Sequence, residues 1–169
     1  MDVQKLEPPD THYLDAATGW LGLGCPQEAR EELSRISPAN QCHPDTLEVR
    51  WTLLVREERW DDALKIAELE LKLRPEDPAG WLHRAYALRR APKGGLIGAW
   101  GVLLLAAEKF PKEPVIAYNL SCYATQLKDL VSARLWLHRS IKVGDKAEIK
   151  KMALDDDDLK PLWSEIRDL

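Results

Sequence analysis

Residues 81–111 read WLHRAYALRRAPKGGLIGAWGVLLLAAEKFP, and the spacing of their apolar side chains decides the fold. Trp81, Ala85 and Leu88 recur at steps of four and three, which lines them along one face of a helix. Pro92, Gly94 and Gly95 break that helix and supply a turn. Ala99, Leu103 and Ala106 start a second stripe of the same kind, and Pro111 closes it. A helix pair this short cannot bury its apolar face alone, so it requires neighbours.

Those neighbours lie on either side in the chain. The second stripe begins again at Ala29, Ala63 and Ala133, so four alanines are separated by 34, 36 and 34 residues. First helices open at Tyr13, Leu47, Trp81 and Ala117, at steps of 34, 34 and 36. The two marks lie 16 residues apart in every unit except the third, where Trp81 to Ala99 is 18. The third unit therefore carries two extra residues, placed in its internal turn, APKGGLIG.

An aromatic, a small residue four later, an alanine, a large apolar residue four beyond it and a closing proline together resemble the tetratricopeptide repeat. The third unit fits best, with Trp81, Ala85, Leu88, Ala99, Leu103, Ala106 and Pro111 in order. The second has Leu47, Leu54, Trp60, Ala63 and Pro75, but Trp51 stands where the family has glycine or alanine, and its bulk is expected to push neighbouring helices apart locally or to tilt outward. The first has Tyr13, Ala17, Trp20, Gly24, Ala29 and Leu33, with Pro38 too early to close it. The fourth has Leu120, Ser121, Leu127, Ala133 and Leu137 and ends at Gly144.

The resemblance implies an all-α, right-handed superhelix of about four antiparallel helix pairs with a C-terminal capping helix. Its expected segments are an N-terminal tail over 1–10, an array over 11–145 in units of about 11–43, 44–77, 78–113 and 114–145, and a capping segment over 146–169. In that last segment KAEIKKMAL reads as a short helix, and DDDDLKPLWSEI as an acidic helix start from which Leu162, Trp163 and Ile166 fold back. RNA-binding pentatricopeptide arrays run at a nearby period, but alanine-centred second helices and closing prolines favour the tetratricopeptide reading.

Composition points the same way. A chain of 169 residues, 45% of them hydrophobic, fits one compact domain with a buried core. No run approaches the roughly 20 apolar residues of a membrane helix. The start, MDVQKLEPPD, lacks the basic-then-apolar order of a leader, so a cytoplasmic protein is expected. Against 28 acidic residues stand 24 basic ones, a net charge of -4 that gives no general attraction to nucleic acid. Three cysteines, an odd number, fit a reducing compartment.

Catalytic patterns are missing: there is no Gly-x-Ser-x-Gly, no phosphate-binding glycine loop, no His-Glu-x-x-His and no Cys-x-x-Cys. His12, His43, His83 and His138 are scattered. The run Asp155–Asp158 lacks the central glycine and distal glutamate of a calcium loop and reads as a solvated cap. No cofactor, metal or enzyme activity is expected. Of seven tryptophans, Trp20, Trp60, Trp81, Trp100 and Trp136 fall at or beside packing positions and read as core.

Function in such arrays lies on the concave face built by the first helices. The register places Leu14, Asp15 and Thr18 there, then Glu48, Val49, Thr52 and Arg56 from the second unit. The third adds His83, Tyr86, Arg89 and Arg90, and the fourth Tyr118, Asn119, Cys122 and Gln126. Arg56, Arg89 and Arg90 near helix C-terminal ends, beside Tyr86 and Tyr118, suit an acidic or C-terminal segment of a partner. The same arginines at helix ends also complement the macrodipole, which needs no ligand. Some family members grip a chaperone tail with a lysine and asparagine clamp; Leu14, Thr18 and Val49 at those positions speak against that partner. Residues 98–107 carry no charge, which calls for burial by neighbouring units or for a self-association patch.

The reading is a non-enzymatic adaptor or scaffold for protein–protein interaction. Its alternatives are a self-associating module, that is a homo-oligomer, and single-stranded RNA binding around Arg84, Arg89, Arg90 and Lys93.

Overall fold

A computed structural model describes residues 5–168, and all regular structure among them is helical. The first helices are α1 (Asp10–Gly22), α3 (Pro44–Arg56), α5 (Pro78–Arg90) and α7 (Pro114–Gln126), each of 13 residues. Their second helices are α2 (Pro26–Arg35), α4 (Trp60–Leu73), α6 (Leu96–Lys109) and α8 (Leu130–Val143). The capping segment forms α9 (Lys146–Asp155), a 3-10 turn over Asp157–Leu162 and α10 (Trp163–Asp168). Residues 1–4 of the expected tail lie outside the described residues. The rest of the tail is partly packed, because Leu6 is buried and α1 already begins at Asp10.

Local sequence sets the helix starts. Pro44, Pro78 and Pro114 each stand at the first helical position, where their missing N–H costs nothing. The residue before each proline caps the helix: His43, Asp77 and Glu113 accept from the backbone N–H of Asp45, Ala79 and Val115 at 3.2, 2.9 and 3.4 Å. In the first unit, which lacks a closing proline, buried Asp10 ties α1 to the turn after α2. It accepts from the Ser37 N–H at 2.9 Å, the Ser37 hydroxyl at 2.5 Å and the Asn40 amide at 2.6 Å.

Internal turns repeat as well. Gly24, Glu58 and Lys128 take left-handed φ values of 75, 56 and 64°. The next N–H then reaches back to a carbonyl of the helix just ended: Cys25 to Trp20 at 2.9 Å, Arg59 to Leu54 at 2.8 Å and Asp129 to Ala124 at 2.9 Å. The third unit absorbs its two extra residues differently. Gly95 donates to the Leu88 carbonyl at 2.9 Å, and a Cβ on Gly94 would lie 1.9 Å from that same oxygen.

Ala29, Ala63, Ala99 and Ala133 are all fully buried, so the alanine period marks the places where helix backbones approach most closely. The chain divides into two compact units, Met1–Ala87 and Leu88–Leu169. In the first, Ala17, Leu21, Leu33, Ile36 and Leu53 form a core with Ala29. In the second, Leu103, Ile116, Leu120 and Leu137 are buried together with Leu159, Leu162 and Ile166 of the capping segment. Trp20 departs from its expected core role and is exposed, because Ala17 and Leu21 take the inward stripe of α1 and leave Trp20 beside it. The helix that holds the uncharged run 98–107, α6, divides: Ala99, Val102, Leu103, Ala106 and Ala107 are buried, while Ile97 and Leu105 face solvent.

Candidate functional site

In residues 1–87 the first-helix register gives a polar and aromatic face. Asp15, Thr18, Glu48 and Arg56 are exposed, and Thr52, His83 and Tyr86 are half-buried. Leu14 and Val49 do not join them, since both pack with Tyr13 against the core. Thr18 and Thr52 spend their hydroxyl protons inside the helix, on the Leu14 and Glu48 carbonyls at 2.9 and 3.0 Å. The bulk of Trp51 is accommodated by stacking: its ring lies 3.8 Å from that of His83 at 12°. Tyr86 meets Trp51 edge-on at 5.8 Å and Trp60 at 6.1 Å.

His83 Nδ1 lies 2.8 Å from the carboxylate of Glu70, a buried residue of α4. Glu70 is a partner of His83 that the sequence reading missed. Its signal was available, because it falls at the seventh position after Ala63, in the stripe that Ala63 and Ala67 share. Trp51 Nε1 is buried and has no hydrogen-bond partner among the described residues.

In residues 88–169 the corresponding face is already occupied. Asp158 accepts from Arg89 Nη1 at 2.9 Å and from the Gln126 amide. Asp156 accepts from the Tyr118 hydroxyl at 2.9 Å and faces the Cys122 thiol at 3.4 Å. The run Asp155–Asp158 is therefore solvated at Asp155 and Asp157 but turned inward at Asp156 and Asp158. Asp156 breaks the chain between α9 and the 3-10 turn, φ -100° and ψ 112°, and its carboxylate caps that turn by accepting from the Asp158 N–H at 2.9 Å. Tyr118 and Cys122 are buried rather than presented, while Gln126 is exposed and Asn119 donates to the Val115 carbonyl at 2.9 Å. Arg90 is half-buried.

Electrostatics at this contact follow from burial and from the aspartates. Burial works against the Arg89 charge, but the Asp158 hydrogen bond and charge outweigh it and hold the guanidinium above its ordinary pKa. Burial raises the Tyr118 hydroxyl, with Cys122 and Asp156 adding to it. Burial likewise raises the Cys122 thiol, and Asp156 adds to it. Both groups are thus kept protonated, as donors to a carboxylate must be. No group of three or more His, Cys, Asp or Glu placed to hold a metal ion occurs among the described residues.

No family model matches the chain, and no curated protein matches it. Among solved structures it is similar in fold to one described as "MamA RS-1 ArsTM double mutant", with 14% identity and a TM-score of 0.66. The match covers 82% of this chain and 76% of that one. That protein is a TPR-like helical repeat protein, and the likeness gives this chain a tetratricopeptide-like fold of helix pairs. No described helix is long and apolar enough to cross a membrane.

Proposed function

We propose that the chain is a non-enzymatic adaptor that holds a peptide or protein segment against the first helices of its repeats. The observation that carries this reading is intramolecular: the face of α7, with Arg89, grips the acidic start of a 3-10 turn at Asp156 and Asp158 through side-chain hydrogen bonds. For Arg89 an acidic group is thus supplied in cis, and the reading assigns the partner to the same register in residues 1–87. There Asp15, Thr18, Glu48, Thr52, Arg56, His83 and Tyr86 offer both charges around aromatic surface, which suits a segment of mixed charge. Within residues 88–169, Arg90 and Asn119 hold the corresponding register positions. Three free cysteines agree with a cytoplasmic setting.

A triple variant, Asp15→Lys with Glu48→Lys and Arg56→Glu, reverses exposed charges and leaves the core untouched. Tagged wild-type protein captures its partner from lysate and the variant does not, at unchanged melting temperature. Equal capture by both would remove this face from the reading.

A second reading rests on a separate observation. Ile97, Leu105, Val131 and Leu135 on α6 and α8 are 76, 58, 68 and 67% exposed, more apolar surface than isolated second helices need. It supports self-association, which light scattering measures directly.

A further inference from the structure

A cleft of about 360 Å³ opens between α2, α3 and α4, lined by four cations, Arg30, Arg50, Arg59 and Lys65, and by one carboxylate, Asp62, which a bound anion would displace from Arg59 and Lys65. Its apolar wall includes Leu53 and Ile66. Three of the cations already have counter-ions. Arg30 pairs with Glu57; Arg59 lies 3.8 Å from Glu57 and 2.6 Å from Asp62; and Lys65 lies 2.9 Å from Asp62. Asp61 also acts on Lys65 through its charge.

Arg50 differs from the other three. It is half-buried, its Nη1 donates at 3.3 Å to the Gln41 carbonyl, and no carboxylate pairs with it among the described residues. Burial pushes its guanidinium below the ordinary pKa, with only the neighbouring Cys42 acting against it and no carboxylate offsetting the lost water. In a chain of net charge -4, a positive cleft with one uncompensated guanidinium is a local reversal of sign.

We infer that this cleft binds a small phosphate monoester, its dianion between Arg50, Arg59 and Lys65 and its carbon body on Leu53 and Ile66. Guanidinium forks match phosphate oxygens in pairs, and an ammonium adds a point charge. The volume falls in the range of small-molecule sites, roughly 300–1,000 Å³. An apolar wall beside the cations favours an ester with an organic body over bare phosphate. This face lies apart from the adaptor register, so the inference stands or falls independently of the proposed function.

Isothermal titration of the full chain with phenyl phosphate, inorganic phosphate and benzyl alcohol separates the contributions. Phenyl phosphate binds with a dissociation constant below about 1 mM, inorganic phosphate more weakly, and benzyl alcohol gives no heat. Lowering the pH below about 6 weakens binding as the ester takes up its second proton. Asp62 stays ionised through that window, because Lys65 and Arg59 hold its carboxyl below the ordinary range.

Arg50→Gln weakens phenyl phosphate about tenfold or more. Lys65→Gln, at a side chain 73% exposed whose one ion pair is the surface contact with Asp62, weakens it several-fold. Lys72→Gln, on the same helix but outside the cleft, leaves affinity unchanged. Absence of heat with phenyl phosphate, or equal affinity in the Lys65→Gln and Lys72→Gln proteins, overturns the inference.

Discussion

Asp10 is buried at the first position of α1, with three donors from the turn after α2 on its carboxylate. Hydrogen bonds from Ser37 and Asn40 favour the ionised form and hold its pKa below the ordinary 3.8. A depressed carboxyl contributes stability that is present above the ordinary value and lost as pH falls through the folded one. Asp10→Asn therefore lowers the melting temperature at pH 7 and lowers it less at pH 3, which two thermal scans compare.

Cys122 and Tyr118 run the opposite way. Their raised values mean stability that is complete below the ordinary 9.0 and 10.0 and is lost as pH rises past them. Stability should hold to about pH 9 and then fall by up to about 1.4 kcal/mol per pH unit for each group. Cys122→Ala moves the onset upward by removing the lower of the two. In native protein at pH 8 a thiol reagent reaches exposed Cys42 and half-buried Cys25 and spares Cys122 until denaturant is added.

Elements are joined by turns whose chemistry varies while their geometry repeats. Left-handed backbone at Gly24 costs nothing, whereas Glu58 and Lys128 adopt it at a penalty of about 1 kcal/mol. Lys128→Gly consequently stabilises the protein by about 0.5–1 kcal/mol in urea melts, and Gly24→Ala costs about as much. Gly94 is held by space rather than by φ. An added methyl meets the Leu88 carbonyl at 1.9 Å, so Gly94→Ala must rebuild the turn and costs several times more than Gly24→Ala. The insertion itself was legible, because a step of 18 among steps of 16 can only be absorbed where proline and glycine break the helix. The left-handed residues at positions 58 and 128 were not, since neither is glycine or asparagine and only the repeat register points to them.

For the whole molecule, the fold was legible because stacking demands a small residue at the same contact in every pair, and a period survives wherever that demand recurs. Helix order and the C-terminal capping helices followed from that register, whereas the first helices start three residues before Tyr13, Leu47, Trp81 and Ala117, at Asp10 and at the prolines Pro44, Pro78 and Pro114. The candidate site was legible only by face. A register states which side of a helix Tyr118 or Gln126 occupies, not what covers that side, and the covering groups lie 32 to 38 residues away along the chain. Arg89 and Asp158 are 69 residues apart, which no local pattern relates.

The same reasoning leaves the solvent side of α6 and α8 as the place where a second copy would be read. Val131 and Leu135 are one helical turn apart and mostly exposed, so Val131→Glu with Leu135→Lys sets a favourable i, i+4 pair on the surface. Stability changes by no more than about 0.5 kcal/mol, because neither side chain fills the core. If the apolar stripe joins copies, wild-type protein scatters as an oligomer and the variant at the monomer mass. If both scatter as monomers, the self-association reading is lost, and α6 and α8 serve only to carry the faces of the first helices.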